Sequence, residues 1–315
     1  MLASAQPPSI HSRPAAAAHP LRAAVNWRHG WAPIVVLPIA VLLLLPAACP
    51  RWVLMWSLAF AIYAGAKWLT WRRTPVSNVA LWKHLGYLAA WPGMDAAAFL
   101  RSPRERAVAR PAISEWLLAC GKFIAGLAMF FGAAQLLPTK HPLLAGWIGL
   151  IGIIFVLHFG IFHLLSCAWR SVGVDARPLM NWPIAATSVS EFWGRRWNSA
   201  FRDLCFRFVF RPFTAWFGPG WGMFIGFLVS GMIHDLVISV PAGAGFAGPT
   251  LFFGVQGAAM LAQRGPIGRR LRLGRGWRGL VFAAAVVVAP AYLLFHPPFI
   301  REVIVPMLHN WGGIS

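Results

Sequence analysis

Apolar runs near ~20 residues, the length a helix needs to cross a bilayer, recur along most of this 315-residue chain. Lipid offers backbone groups no hydrogen bonds, so a spanning segment must be a helix or part of a closed barrel. These runs are continuous rather than alternating, which selects helices. Charged residues make up only 11% of the chain and hydrophobic ones 58%. A soluble domain carries roughly a quarter charged residues, and a disordered chain lacks this hydrophobicity. The expected fold is all-α, a polytopic membrane helix bundle of about 7–8 transmembrane helices with interfacial or re-entrant helices.

Seven spans are expected: Trp31–Cys49, Trp52–Ala66, Trp116–Leu137, Leu143–Trp169, Trp221–Val240, Thr250–Gln263 and Leu280–Phe295. The sixth is short. An eighth run, Asn78–Leu100, is broken by Lys83, His84 and Pro92, and reads as an interfacial or re-entrant helix. Residues 1–30 are basic and acid-free, with no apolar core for a signal peptide. They are expected to form a disordered cytoplasmic tail, and residues 31–315 a single membrane-embedded domain.

The formal net charge is +20, but the basic residues sit in the gaps between apolar runs, so nucleic acid is not the expected partner. Three lie in the tail, eight between Lys67 and Arg110, seven between Arg170 and Arg211, and six between Arg264 and Arg278. These are alternate loops. The opposite loops carry Arg51, Lys140 and Arg301, and Lys122 near the start of the third span can snorkel. The positive-inside rule then predicts an integral, multi-pass protein with a cytoplasmic N-terminus and its C-terminus on the opposite side. The four cysteines, Cys49, Cys120, Cys167 and Cys205, are far apart and read as small buried apolar residues.

The loop Arg170–Gly220 holds an amphipathic helix. Ser188 and Glu191 match a capping box, which predicts a helix over Val189–Arg211 ended by Pro212. At 100° per residue, Arg196, Asp203, Arg207 and Arg211 share one side, and Trp193, Trp197, Phe201, Leu204, Cys205 and Phe208 share another. Asn198 falls beside the apolar arc, where its carboxamide needs a partner in protein or substrate.

Ionisable groups within spans are functional candidates by default. They are His158, His163, His234, Asp235 and His296. His296 precedes Pro297-Pro298 and reads as interfacial and inert. His158 and His163 lie about 140° apart on a helix and read as packing or polar links between helices. The clustered histidines of an iron site are missing and acids are few, so no metal is expected. His234 ends a stripe, Gly222, Gly226, Ser230 and His234, that repeats every four residues. Small residues beside a large polar one serve close helix packing or make room for a substrate chain. A buried, neutral imidazole there would suit a general base. Asp235, about 100° around the helix, could orient a neighbouring group.

Phe192-Trp193-Gly194-Arg195-Arg196-Trp197-Asn198 resembles the signature of the wax-synthase branch of the membrane-bound O-acyltransferases. Ser230-Gly231-Met232-Ile233-His234-Asp235 resembles that branch's second element, SG-x-x-H followed by an acid. Pro178-Leu179-Met180-Asn181-Trp182-Pro183 and Phe159-Gly160 also look like it, so the resemblance covers residues 155–263, with a weaker match at Trp91-Pro92-Gly93-Met94-Asp95. The chain departs from the plant enzymes at Asp235, where they carry Glu, and at Gln256-Gly257, where they carry His-Gly.

The resemblance implies transfer of a fatty acyl group from acyl-CoA to a hydroxyl acceptor, with membrane lipids around it and no cofactor beyond acyl-CoA as co-substrate. The long-chain alcohol of wax ester synthesis is the first acceptor. A sterol, glycerolipid, sugar or secondary-metabolite hydroxyl is the alternative, and a transporter or lipid-binding protein is the non-enzymatic rival. The family's buried histidine maps onto His234 and its motif asparagine onto Asn198. Trp193, Arg195, Arg196, Trp197, Gly226 and Ser230 are the expected substrate-binding residues. The arginines of 264–278 would meet either the phosphates of CoA or anionic headgroups.

Overall fold

The computed structural model describes residues 30–101, 108–133, 135 and 141–312. Nearly all of the tail expected over residues 1–30 and the expected end of the third span at Leu137 lie outside these. The described residues form helices and contain no strand. Five helical stretches are long and apolar enough to cross a membrane: Arg51–Arg72, Ile113–Gly132, Pro142–Ser171, Ser199–Ala242 and Gly276–Leu294. Their outward faces carry exposed Ile113, Leu117, Val281 and Val288, which lipid accommodates and water does not.

The first expected span becomes α1, Ala32–Leu44, only 13 residues long. At 1.5 Å per residue this is about 20 Å, short of the hydrocarbon thickness. It packs on α2, Arg51–Arg72, where a Cβ on Gly65 would fall 2.6 Å from the backbone nitrogen of Ile34. α2 runs past the expected end at Ala66 because Lys67 is satisfied inside the protein. Its Nζ donates to the Gly93 carbonyl at 2.7 Å and lies 3.2 Å from the Tyr87 ring centroid. A partnered ammonium costs far less to bury than a bare one.

The broken eighth run folds as α3, Leu81–Ala90, and α4, Ala96–Leu100, around a buried turn at 91–94. α5, Ile113–Gly132, and α6, Pro142–Ser171, pack closely. His163 Nε2 lies 3.1 Å from Glu115 Oε1 across that interface, the polar link between helices expected of it.

The helix expected over Val189–Arg211 does not form as one piece. Ser188 caps it as predicted, accepting from Glu191 N at 2.9 Å. The Glu191 carboxylate, however, reaches Thr187 N and Oγ1 rather than Ser188. The segment α7 (189–196) then widens at Phe192–Arg196 and stops. Asn198 turns left-handed (φ 40°, ψ 69°) and caps a new helix. That helix does not end at Pro212. It continues to Gly218, where φ is +79° and ψ 167°, values that suit only glycine.

The 44-residue helical stretch Ser199–Ala242 is therefore a hairpin of α8 (199–217) and α9 (219–242). The Phe201 and His234 rings lie 6.2 Å apart, where a straight helix would hold them about 50 Å apart. At the hairpin tip Trp216, Phe217 and Trp221 are exposed.

α10, Gly248–Arg264, is the short sixth span, with 17 residues. It is followed by the short helix α11, Pro266–Arg270, and by α12, Gly276–Leu294. A final helix, α13 (297–312), was not expected. Arg301 and Glu302 mask its apolar face in the sequence, yet Phe299, Ile300, Val303, Ile304, Met307 and Leu308 are buried. They join Met55, Leu150, Ile238, Phe252 and Phe253 in the largest core cluster.

His296 is likewise engaged in the fold. It is buried, caps α13 by accepting from Phe299 N at Nδ1, and meets Ser239 Oγ at Nε2. Of the cysteines Cys167 is buried, whereas Cys120 is exposed, contrary to the expectation.

Candidate active site

His234 closes the regular part of α9, and a wide turn, Asp235–Ser239, follows it. Its Nδ1 lies 2.7 Å from the Ser230 carbonyl oxygen. A carbonyl only accepts, so Nδ1 carries the proton. In the neutral ring Nε2 then holds the lone pair, and among the described residues it makes no hydrogen bond. Phe253 lies 4.6 Å from the imidazole, centroid to centroid, and Phe201 6.2 Å. The hydrogen bond thus holds the imidazole in one tautomer between two phenylalanine rings.

Asp235 does not touch His234. Oδ1 accepts from Ser239 Oγ and Ala247 N, both at 2.9 Å, and Oδ2 from Thr250 N and Oγ1 at 3.1 and 2.5 Å. These bonds fasten the start of α10 to the end of α9. Gly231 lets the helices close, since its Cβ would fall 2.5 Å from Thr250 Cα. Phe253 is thereby pressed onto His234.

The stripe is divided in use. Gly222 serves packing, with Thr214 N 2.8 Å from the site of a Cβ. Gly226 has no atom from beyond its own helix turn within 4 Å of that site among the described residues, and faces open space. Ser230 is buried, and its Oγ has no hydrogen-bond partner among the described residues.

Asn198 finds its partner in the protein. Its Oδ1 accepts from Phe201 N at 3.2 Å, capping α8. Its NH2 group stays available to donate. Asn198 and His234 lie at the same end of the hairpin, joined through Phe201. The Trp193 indole N–H donates to Gln256 Oε1 at 3.2 Å, and its ring packs 5.4 Å from Phe253. Gln256 is fully buried and also donates to the Val286 carbonyl. At the position where this chain departs from the plant pattern, Gln256 links α7, α10 and α12.

Trp197 stacks between Phe192 at 5.7 Å and His158 at 6.1 Å. His158 sits in the wide turn Phe155–Ile161, with a buried Nδ1 that has no hydrogen-bond partner among the described residues. Sequence reasoning placed it as packing, and its stacking contact fits that. Its position beside the motif emerges only in three dimensions. Wide turns of this kind recur at functional sites.

The two motif arginines differ. Arg196 pairs with Glu191 at 2.8 Å and donates to the Asn181 and Trp182 carbonyls, so it braces the motif. Arg195 is exposed. Burial alone would raise the Glu191 carboxyl, but the Thr187 and Arg196 bonds outweigh it and hold it below its ordinary range.

Among the described residues, Glu115, His163 and Cys167 bring ligand-type atoms within 4.8 Å of one another. The Arg170 guanidinium already occupies this group, pairing with Glu115 and lying 3.7 Å from Cys167 Sγ. A second feature lies at the C-terminal end of α10. A cavity of ≈ 890 Å³ opens between the end of α10 and the start of α12, lined by arginines and by Ser188 and Gln263.

Residues 176–255 match the membrane bound O-acyl transferase family. A long-chain-alcohol O-fatty-acyltransferase of Simmondsia chinensis is 26% identical over 198 residues, 57% of this chain and 55% of that protein. A probable long-chain-alcohol O-fatty-acyltransferase 9 of Arabidopsis thaliana is 33% identical over 153 residues, 44% of each chain. An acyl-CoA–sterol O-acyltransferase 1 of Arabidopsis thaliana is 34% identical over 95 residues, 28% of this chain and 27% of that protein. The chain spans about half the length of the first two relatives.

Proposed function

We propose, from the match of residues 176–255 to the membrane bound O-acyl transferase family and the likeness to long-chain-alcohol O-fatty-acyltransferases, that this chain transfers a fatty acyl group from acyl-CoA to the hydroxyl of a long-chain alcohol. One observation carries the reading: the proton on His234 Nδ1 is committed to the Ser230 carbonyl, so Nε2 is a lone-pair acceptor in an apolar box. Nε2 takes the hydroxyl proton as the alcohol oxygen attacks the thioester carbon. The C–S bond breaks, and the leaving thiolate recovers that proton from the imidazolium. The Asn198 NH2, which makes no hydrogen bond among the described residues, donates to the carbonyl oxygen as charge develops there. The acyl chain enters over Gly226, the open position of the stripe.

The likeness to a sterol acyltransferase supports a sterol hydroxyl as the second acceptor class. The alternating basic loops support a cytoplasmic N-terminus and delivery of acyl-CoA from that side.

The test is an assay of membranes holding the full chain, with labelled acyl-CoA and a panel of alcohols and sterols, reading both free thiol and ester. Ester from alcohols supports the reading, and neither product across the panel rejects it. His234→Ala should lower transfer by roughly 100-fold or more, the span of a general base, with membrane insertion retained. Near-normal turnover in that variant would remove His234 from the base role.

A further inference from the structure

The arginine-lined cavity shares its wall with the motif helix. Five side chains converge on it: Arg264 from the end of α10, Arg269 from α11, Arg272 and Arg275 from the following turn, and Arg278 from the first turn of α12. Among the described residues no carboxylate pairs with any of them. Two of them donate to the protein, Arg264 to Ser190 Oγ at 3.2 Å and Arg269 to the Arg264 carbonyl at 2.6 Å. Trp277, also in the lining, is exposed, with the Arg278 guanidinium 5.6 Å from its ring centroid. Converging like charges repel one another, and this concentration calls for a multiply charged anion.

Shape separates two sources of phosphate. A bilayer presents headgroups on a flat surface, which splayed arginines meet one at a time. The arginines instead line a concave, half-open volume of ≈ 890 Å³, comparable in size to pockets that take a small molecule. The wall also leads to the site. Gln263 accepts from Val189 N at 3.0 Å and donates to Ser190 Oγ at 2.5 Å, joining the cavity to the start of α7. From Gln263 to Phe253, which packs on His234, is ten residues of α10, about 15 Å of helix. An extended pantetheine arm covers a distance of this order, so a phosphate end at Gln263 would leave a thioester at His234.

We infer that the cavity between α10 and α12 binds the nucleotide end of the acyl donor, a diphosphate with a further phosphate monoester, through Arg264, Arg269, Arg272, Arg275 and Arg278. The inference rests on acyl-CoA being the donor. Trp277 offers a flat surface to the base.

The test uses the purified full chain in detergent, with CoA, dephospho-CoA and vesicles of phosphatidylserine in phosphatidylcholine as probes. The wild type should bind CoA more tightly than dephospho-CoA. Arg272→Gln/Arg275→Gln should weaken CoA binding at least tenfold and shrink the preference for CoA over dephospho-CoA. Its melting temperature and vesicle binding should stay unchanged. In the transfer assay the same variant should raise the KM for acyl-CoA and keep kcat. Arg272→Lys/Arg275→Lys, which keeps the charge, should recover part of the affinity. A variant that binds CoA like the wild type, or one that loses vesicle binding alone, overturns the assignment and leaves the acyl-transfer reading standing. A wild type that binds no CoA rejects the donor itself, and this inference with it.

Discussion

The cap that Asn198 makes and the donor role proposed for it separate at the level of single atoms. Its Oδ1 caps α8, and its NH2 is left to donate. Asn198→Asp keeps the acceptor and removes the donor. Its thermal stability should stay close to wild type, while kcat falls by roughly 10²–10³, the scale of one lost donor to a developing oxyanion. Asn198→Ala removes both, so it should also lose about 1 kcal/mol of stability. Equal kcat in wild type and Asn198→Asp would make the residue a cap and nothing more.

Glu191 gives the residue scale a pH dependence. Its carboxyl sits below the ordinary range because the bonds from Thr187 and Arg196 outweigh burial. A depressed acid stabilises the fold above its unfolded value, about 4.3, and that contribution is lost as pH falls through the folded value. The melting-temperature gap between wild type and Glu191→Gln should be widest above about pH 5 and close on acidification. A gap independent of pH would mean the carboxylate charge contributes nothing to the brace.

At the scale of elements, the α8–α9 hairpin divides the small-residue stripe between packing and open space. Gly222 abuts Thr214, and Gly226 abuts nothing. Gly222→Leu should lower the melting temperature sharply, because overpacking costs about 1–3 kcal/mol or more. Gly226→Leu should leave stability near wild type and cut transfer of long acyl chains more than short ones. Chain-length profiles of the two variants, with melting curves, check this. A Gly226→Leu enzyme with an unchanged profile would show that the acyl chain travels elsewhere. The hairpin also explains why one amphipathic helix was the wrong description of Val189–Arg211. Angular phase carries across a segment only while the backbone stays helical, and Asn198 interrupts it at φ 40°.

Across the whole molecule, α13 ties the bundle together. Ile300 and Leu308 are fully or nearly fully buried, and a Cβ on Gly146 or Gly149 of α6 would strike them. Leu308→Ala should cost about 2–5 kcal/mol, read as a lower melting temperature in detergent with the KM for acyl-CoA unchanged in whatever enzyme remains folded. A KM shift would instead couple α13 to the donor site.

The helical, membrane-bound character, most helix positions, the Ser188 cap and the two motifs were legible in the residues, because hydrophobic run length and capping chemistry are local properties. Nothing local shows that Lys67 is satisfied by Gly93 and Tyr87, that α13 is core despite Arg301 and Glu302, or that Gly218 folds α8 back onto α9. Those outcomes, and with them the meeting of Phe201, Phe253 and His234, depend on contacts between residues remote in the chain. Only the packed fold specifies which distant groups share the energy of burial.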